Sequence, residues 1–242
     1  MTGTLLNIAS VLLGGTLGMF IGSRLPERLK QTVVAGMGLF TGALGVQMFL
    51  KTENPLIVLG SILIGALLGE WWNIEGGLLI LGRLLERRFA GRSNDGSAAP
   101  ATNGSGRFAR GFLTASLLFC VGPMAILGSI QDGLAGNFEI LAVKSVLDGF
   151  AALAFASTLG LGVLFSTLVI LIYQGGLTLL AAQVQAVVTS PMMTEMTAVG
   201  GVMLIGLAVS SLLEIKPIRV GNLLPALFVA PLIVWFLGIV GY

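Results

Sequence analysis

Stretches of about twenty apolar residues recur along this chain, each closed by a short polar interval, and no other feature limits its fold so strongly. Twenty helical residues at about 1.5 Å each cross the roughly 30 Å hydrocarbon core of a bilayer. Membrane-spanning strands would instead alternate apolar and polar side chains over about ten residues, a pattern missing here. A water-soluble fold is excluded by composition. Of 242 residues, 55% are hydrophobic and only 10% charged, where a soluble domain carries about a quarter charged. An all-α, polytopic transmembrane helix bundle is expected, with the lipid bilayer as its first partner.

Eight spans fit, near residues 3–22, 32–50, 55–72, 108–130, 138–156, 161–182, 195–213 and 223–241. Only Ser157-Thr158-Leu159-Gly160 divides the fifth from the sixth, so a seven-span threading competes. Charge favours eight. Arg24, Arg28 and Lys30 then share one side with Arg83, Arg87, Arg88, Arg92, Arg107, Arg110, Lys216 and Arg219. Lys51 lies opposite, and Lys144 lies within a span. The positive-inside rule puts that side in the cytoplasm of a bacterial inner membrane and both termini outside. The first span lacks a basic n-region and a small-residue cleavage site, so it reads as a retained helix.

Residues 1–90 form a three-span part. It closes on Trp71 and Trp72 and then on Leu78, Leu81, Leu85 and Phe89 at helical spacing, as in an amphipathic interfacial helix. Residues 91–107 are rich in Gly, Ser, Ala and Asn and read as a flexible cytoplasmic linker. Residues 108–242 form a five-span part of the same integral membrane domain.

An internal pattern recurs in the odd spans. Ser10-Val-Leu-Leu-Gly14 matches Ser61-Ile-Leu-Ile-Gly65, span five carries Ser145-Val-Leu-Asp148-Gly149, and span seven has Gly201-Val-Met-Leu-Ile-Gly206. Two accounts are open: a repeated two-helix hairpin of the kind some transporters use, or a generic small-residue packing motif. Either way these glycines should bring helix backbones close. The same faces also suit a homo-oligomer.

Against that frame Asp148 is out of place, standing where the related spans have Leu13 and Ile64, with Lys144 one turn before it. Residues four apart share a helix face and can neutralise one another. Charges within a span usually face a bundle interior or a wet cavity and mark solute or proton pathways. The plainer reading is an ion pair that pins span five to its neighbours. A second signal is the run 120–133, Cys120-Val-Gly122-Pro123-Met-Ala-Ile-Leu-Gly-Ser129-Ile-Gln131-Asp132-Gly133. Proline inside a span removes a backbone donor, so span four should kink or break there. A helix restarting after Pro123 would aim its positive end into the membrane, where anionic groups bind well.

Span two carries the glycine-weakened Thr41-Gly42-Ala-Leu-Gly45-Val-Gln47 at similar depth. Candidate solute- or ion-binding residues are therefore Asp148, Lys144, Gly122, Pro123, Ser145, Thr41, Gln47, Ser129, Gln131 and Asp132. Asn7 and Gln174 read as interhelical glue, Cys120 as a small buried hydrophobe, and Glu70, Glu75, Glu214 and Lys216 as solvated boundary charges.

Enzyme chemistry has no foothold in the sequence. There is no histidine, hence no zinc-protease motif or Ser-His-Asp triad. No phosphate-binding loop is evident, and one cysteine excludes a disulfide within the chain. No cofactor is implied, and the basic residues serve topology rather than nucleic acid. Gly3-Thr-Leu-Leu-Asn7, the run 120–133 and Lys144-Ser-Val-Leu-Asp-Gly149 together resemble the bacterial YqgA-like family of uncharacterised membrane proteins. That resemblance implies a prokaryotic plasma membrane and a transport role without naming a substrate. A transporter or facilitator of a small polar solute or ion is expected, and a non-transporting scaffold is the alternative.

Overall fold

A computed structural model describes residues 1–24, 26–89, 105–120 and 122–240. Most of the expected linker, residues 91–104, lies outside them. All regular elements described are helical: α1 (Thr2–Gly22), α2 (Glu27–Phe49), α3 (Pro55–Trp72), α4 (Ile74–Phe89), α5 (Ser105–Cys120), α6 (Pro123–Ala135), α7 (Glu139–Leu159), α8 (Gly162–Leu179), α9 (Ala181–Val187), α10 (Ser190–Leu207) and α11 (Ala226–Val240). A π-helical turn (Ala208–Leu212) extends α10, and a 3-10 turn (Val220–Leu223) precedes α11. Among the described residues seven helices are long and apolar enough to cross a membrane, or eight if the bent pair α5–α6 counts as one span.

Glycines set how these helices meet. A Cβ at Gly14, Gly18 or Gly22 of α1 would collide with the backbone of Gly149, Leu153 or Ser157 of α7. Both series ascend together, so α1 and α7 run parallel. Gly65 and Gly69 of α3 face Ala226 and Asn222, which makes α3 and α11 antiparallel. Gly45 faces Gly201, and Gly38 faces Leu212 and Leu213, so α2 and α10 are antiparallel as well. Small residues bring backbones close enough for dispersion contacts to hold the bundle where lipid removes the hydrophobic drive. Span two is one unbroken helix. Gly38 and Gly45 serve close packing on α10 and the turn that extends it, rather than a break.

Apolar contact fills two centres. Val199, Met203, Leu204 and Leu207 of α10 meet Met48, Val58, Leu113, Leu117 and Leu227. Val11 of α1 meets Phe119, Phe155, Val163 and Ile170. Side chains on the outer faces, among them Leu13, Leu17, Phe20 and Trp235, are exposed, as lipid-facing positions should be.

Polar contacts staple both ends of the bundle. Buried Glu195 of α10 accepts from Thr52 Oγ1 at 2.7 Å, from the Glu53 amide at 2.9 Å and from the Asn54 amide at 3.1 Å. That carboxylate fastens the α2–α3 turn to α10. At the opposite end Asn73 adopts a left-handed conformation (φ 48°) that ends α3 and starts α4. Asn222 Oδ1 accepts from the Glu75 amide at 2.8 Å, and Glu75 Oε2 accepts from the Gly221 amide at 2.8 Å. Asn222 Nδ2 donates to Glu70, which also pairs with Arg219. Burial pushes the Glu75 carboxyl above its ordinary range, opposed by the Gly221 N–H and the Arg219 charge. Glu70 and Glu75 are therefore more than solvated boundary charges, because the α3–α4 elbow folds them against the 3-10 turn. The amphipathic helix α4 forms, leaning on Ala109 and Phe112 of α5 through Gly82. Leu78 and Leu85 are half-buried and Leu81 is exposed.

Candidate functional site

The middle of α7 carries the charge pair. Lys144 and Asp148 share one face and bond to each other through Nζ and Oδ2, with side chains 6% and 12% exposed. The glycine seam sets α1 close beside them, so Asn7, fully buried, reaches across. Asn7 Nδ2 donates to Asp148 Oδ2 at 3.0 Å and to Gln174 Oε1 of α8 at 3.0 Å. Gln174 Nε2 donates to Thr4 Oγ1 at 3.4 Å, and the Thr4 and Thr178 hydroxyls lie 3.4 Å apart. One polar chain thus joins α1, α7 and α8. In a low-dielectric interior such bonds are strong when made and costly when left open. Four buried side-chain oxygens have no hydrogen-bond partner among the described residues: Asn7 Oδ1 in this network, Thr114 Oγ1 and Ser116 Oγ on α5, and Ser129 Oγ on α6.

The broken span stands against this network. Phe119, near the end of α5, places its ring under Lys144, with Nζ 6.0 Å from the centroid, a favourable cation–π geometry. One residue later α5 ends. Gly122 is extended (φ −77°, ψ 145°), and Pro123 takes the first position of α6, where its missing N–H costs nothing. The two helices bend by 62°. Nothing lies within 4 Å of where a Gly122 Cβ would sit, so the break borders open space. An apolar cavity of about 220 Å³ reaches Cys120, with Ser116 and Tyr173 among the residues that line it.

The sequence candidates divide accordingly. Lys144, Asp148 and the Gly122–Pro123 break belong to one region, linked through Phe119. Ser145 lies buried beside the pair but spends its hydroxyl on the Leu141 carbonyl at 2.6 Å. Ser129 is buried on α6. Asp132, also buried, accepts from the Gly3 amide and the Met1 amino group, each at 3.0 Å, and so fastens α6 to the start of α1. Thr41 is buried on α2, whereas Gln47 and Gln131 are exposed. Ser129, Asp132, Thr41, Gln47 and Gln131 make no hydrogen bond to the charge pair among the described residues. Asn7, Gln174, Thr4 and Thr178 complete the network. Their spacing carried a signal, since Thr4 and Asn7, like Gln174 and Thr178, sit one turn apart on a single face.

A family model described as "Protein of unknown function (DUF554)" matches residues 2–235. The chain is 34% identical to the uncharacterized protein YqgA of Escherichia coli (strain K12), over 94% of each chain. It is 28% identical to the uncharacterized membrane protein YdfK of Bacillus subtilis (strain 168), over 100% of this chain and 99% of that one. No solved structure matches it.

Proposed function

This chain belongs to the DUF554 family of proteins of unknown function, and from that footing we propose that it moves a small polar solute or ion across a bacterial inner membrane. The observation that carries this reading is the buried Lys144–Asp148 pair, bonded across three helices and set against a broken span. Charges are costly at such depth, and a pathway gives a reason to keep them. In this reading Asp148 is the cation or proton group, and Lys144 balances it or attracts negative charge. The open N-terminal end of α6 offers backbone groups to the solute. Purified protein in proteoliposomes should pass one member of a solute and ion panel. Asp148→Asn should keep the fold and lose any dependence of that flux on a proton gradient. A panel that shows no flux above empty vesicles, in a preparation of verified fold, would sink the proposal.

One observation favours a structural role instead. The pair is almost wholly enclosed, and Asn7 and Phe119 already occupy its neighbourhood. In that case the chain is a non-transporting scaffold or regulator, and a variant lacking both charges keeps its cellular activity.

Orientation belongs to the same proposal: the basic loops face the cytoplasm and both termini face outward. A cysteine placed at Ser97 on a Cys120→Ala background should resist an impermeant reagent in intact cells and label after permeabilisation. Labelling in intact cells would reverse the orientation.

A further inference from the structure

Residues of five helices wall the apolar cavity of about 220 Å³ that reaches Cys120. Leu78 comes from α4, Val169 from α8, Met196 from α10 and Phe228 from α11, while α5 gives Phe112 and Ser116. Ser116 departs from this apolar lining. It is 6% exposed, and of the four open oxygens its Oγ is the one found in the cavity wall. Buried Ser61, Ser145 and Ser166 instead bond back to carbonyls of their own helices, those of Ile57, Leu141 and Val163, each at 2.6 Å. Ser116 makes no such bond. A buried hydroxyl left open costs free energy that a polar group of a ligand returns.

Size and chemistry together narrow the occupant. A cavity of about 150 Å³ lined by Leu, Ile and Phe stays dry and takes up benzene. At about 220 Å³ this one has room for a single ring with a small substituent. Phe228 lines it and is also 65% exposed on the outer face of α11, which gives a molecule dissolved in the bilayer a way in. A lipid tail has the same route but brings no polar group for Ser116. We propose that the cavity binds a small neutral ring compound carrying one hydrogen-bonding group, its ring against the apolar walls and its polar group on Ser116 Oγ. Apolar walls with one placed polar group are how pockets of this kind fix a ligand's orientation. The site does not depend on transport.

The test uses the full chain in mild detergent, titrated with phenol, with toluene of nearly the same shape, with n-octane or with benzoate. Binding is followed by saturation-transfer NMR and by the rise in unfolding temperature, at equal micellar concentrations of each probe. Phenol should bind the wild type, and Ser116→Ala should weaken it about fivefold while leaving toluene unchanged. Ser116→Ala removes only an unpaired hydroxyl, so its fold should be kept. Val169→Phe adds a ring to the cavity wall. It should raise the unfolding temperature without any probe and abolish the response to phenol, which also separates binding from partition into the micelle. Should Val169→Phe fail to fold, Ser116→Ala decides the matter by the same titrations. Phenol binding that either folded variant leaves unchanged would overturn the proposal. A response to n-octane as large as that to phenol would overturn the ring assignment and leave a pocket for a lipid tail. Benzoate bound as tightly as phenol would overturn the neutral class.

Discussion

Lys144→Met and Asp148→Leu are each expected to unfold in detergent far more readily than the wild type, while the double variant recovers most of the loss. Either single change strands a charge that is almost fully enclosed, a defect that costs roughly 3–5 kcal/mol. Removing both leaves no uncompensated charge, and apolar replacements of similar volume are tolerated there. Recovery should stop short of complete. Asn7 Nδ2 bonds both Asp148 and Gln174, so the double variant leaves one buried N–H unpaired, at about 1–3 kcal/mol. Asn7→Leu added to the double variant should return part of that remainder. Denaturant or thermal unfolding of the four proteins forms a double-mutant cycle. Additive losses, with the double variant as unstable as the two singles summed, would show that the pair is not energetically coupled.

Gly14→Leu should disrupt the bundle almost as severely. A Cβ at Gly14 would fall on the Gly149 carbonyl. A backbone oxygen cannot rotate aside as a side-chain end can, so α1 must move away from α7. Overpacking usually costs about 1–3 kcal/mol, and more where backbone must shift. Moving α1 also pulls Asn7 off Asp148, so two defects arise from one substitution. Gly65→Leu repeats the collision at α3, where a Cβ would stand 2.5 Å from the Ala226 amide nitrogen. Gly36→Leu meets nothing within 4 Å and should be tolerated, as should Leu5→Ala at a position 59% exposed. Unfolding temperatures and the monodisperse fraction on size exclusion give the comparison. Equal stability of Gly14→Leu and Gly36→Leu would remove the seam from the account of what holds this fold.

Depth was legible in the sequence, and direction around each helix was not. Counting residues along apolar runs located the spans, the Gly-Pro break and the Lys144–Asp148 turn, because all three are local along one helix. Along the sequence Thr41 stands at a depth similar to the Gly-Pro break, with Gln47 beyond it. Thr41 proved buried on α2 and Gln47 exposed, and neither bonds to the pair. Where protein and lipid are both apolar, the sequence contrast that marks an inward face in a soluble helix is weak. The bond from Asn7 to Asp148 joins residues 141 apart, and no local spacing encodes it. Glu195 was unforeseen for the same reason, since its three donors lie in the α2–α3 turn.

The parallel pairing of α1 with α7 also bears on how the protein is made. Asn7 enters the bilayer 141 residues ahead of Asp148, an interval of about 7–28 s at the usual pace of synthesis. During that time the seam of Gly14, Gly18 and Gly22 has no helix to close upon, and Asn7 sits in hydrocarbon without its acceptors. The ribosome-bound chain therefore carries a half-finished interface whose mate has not been translated. Slowing translation between α1 and α7 should lengthen this interval and raise the share of chains removed by quality-control proteases, whereas slowing it after α8 should not.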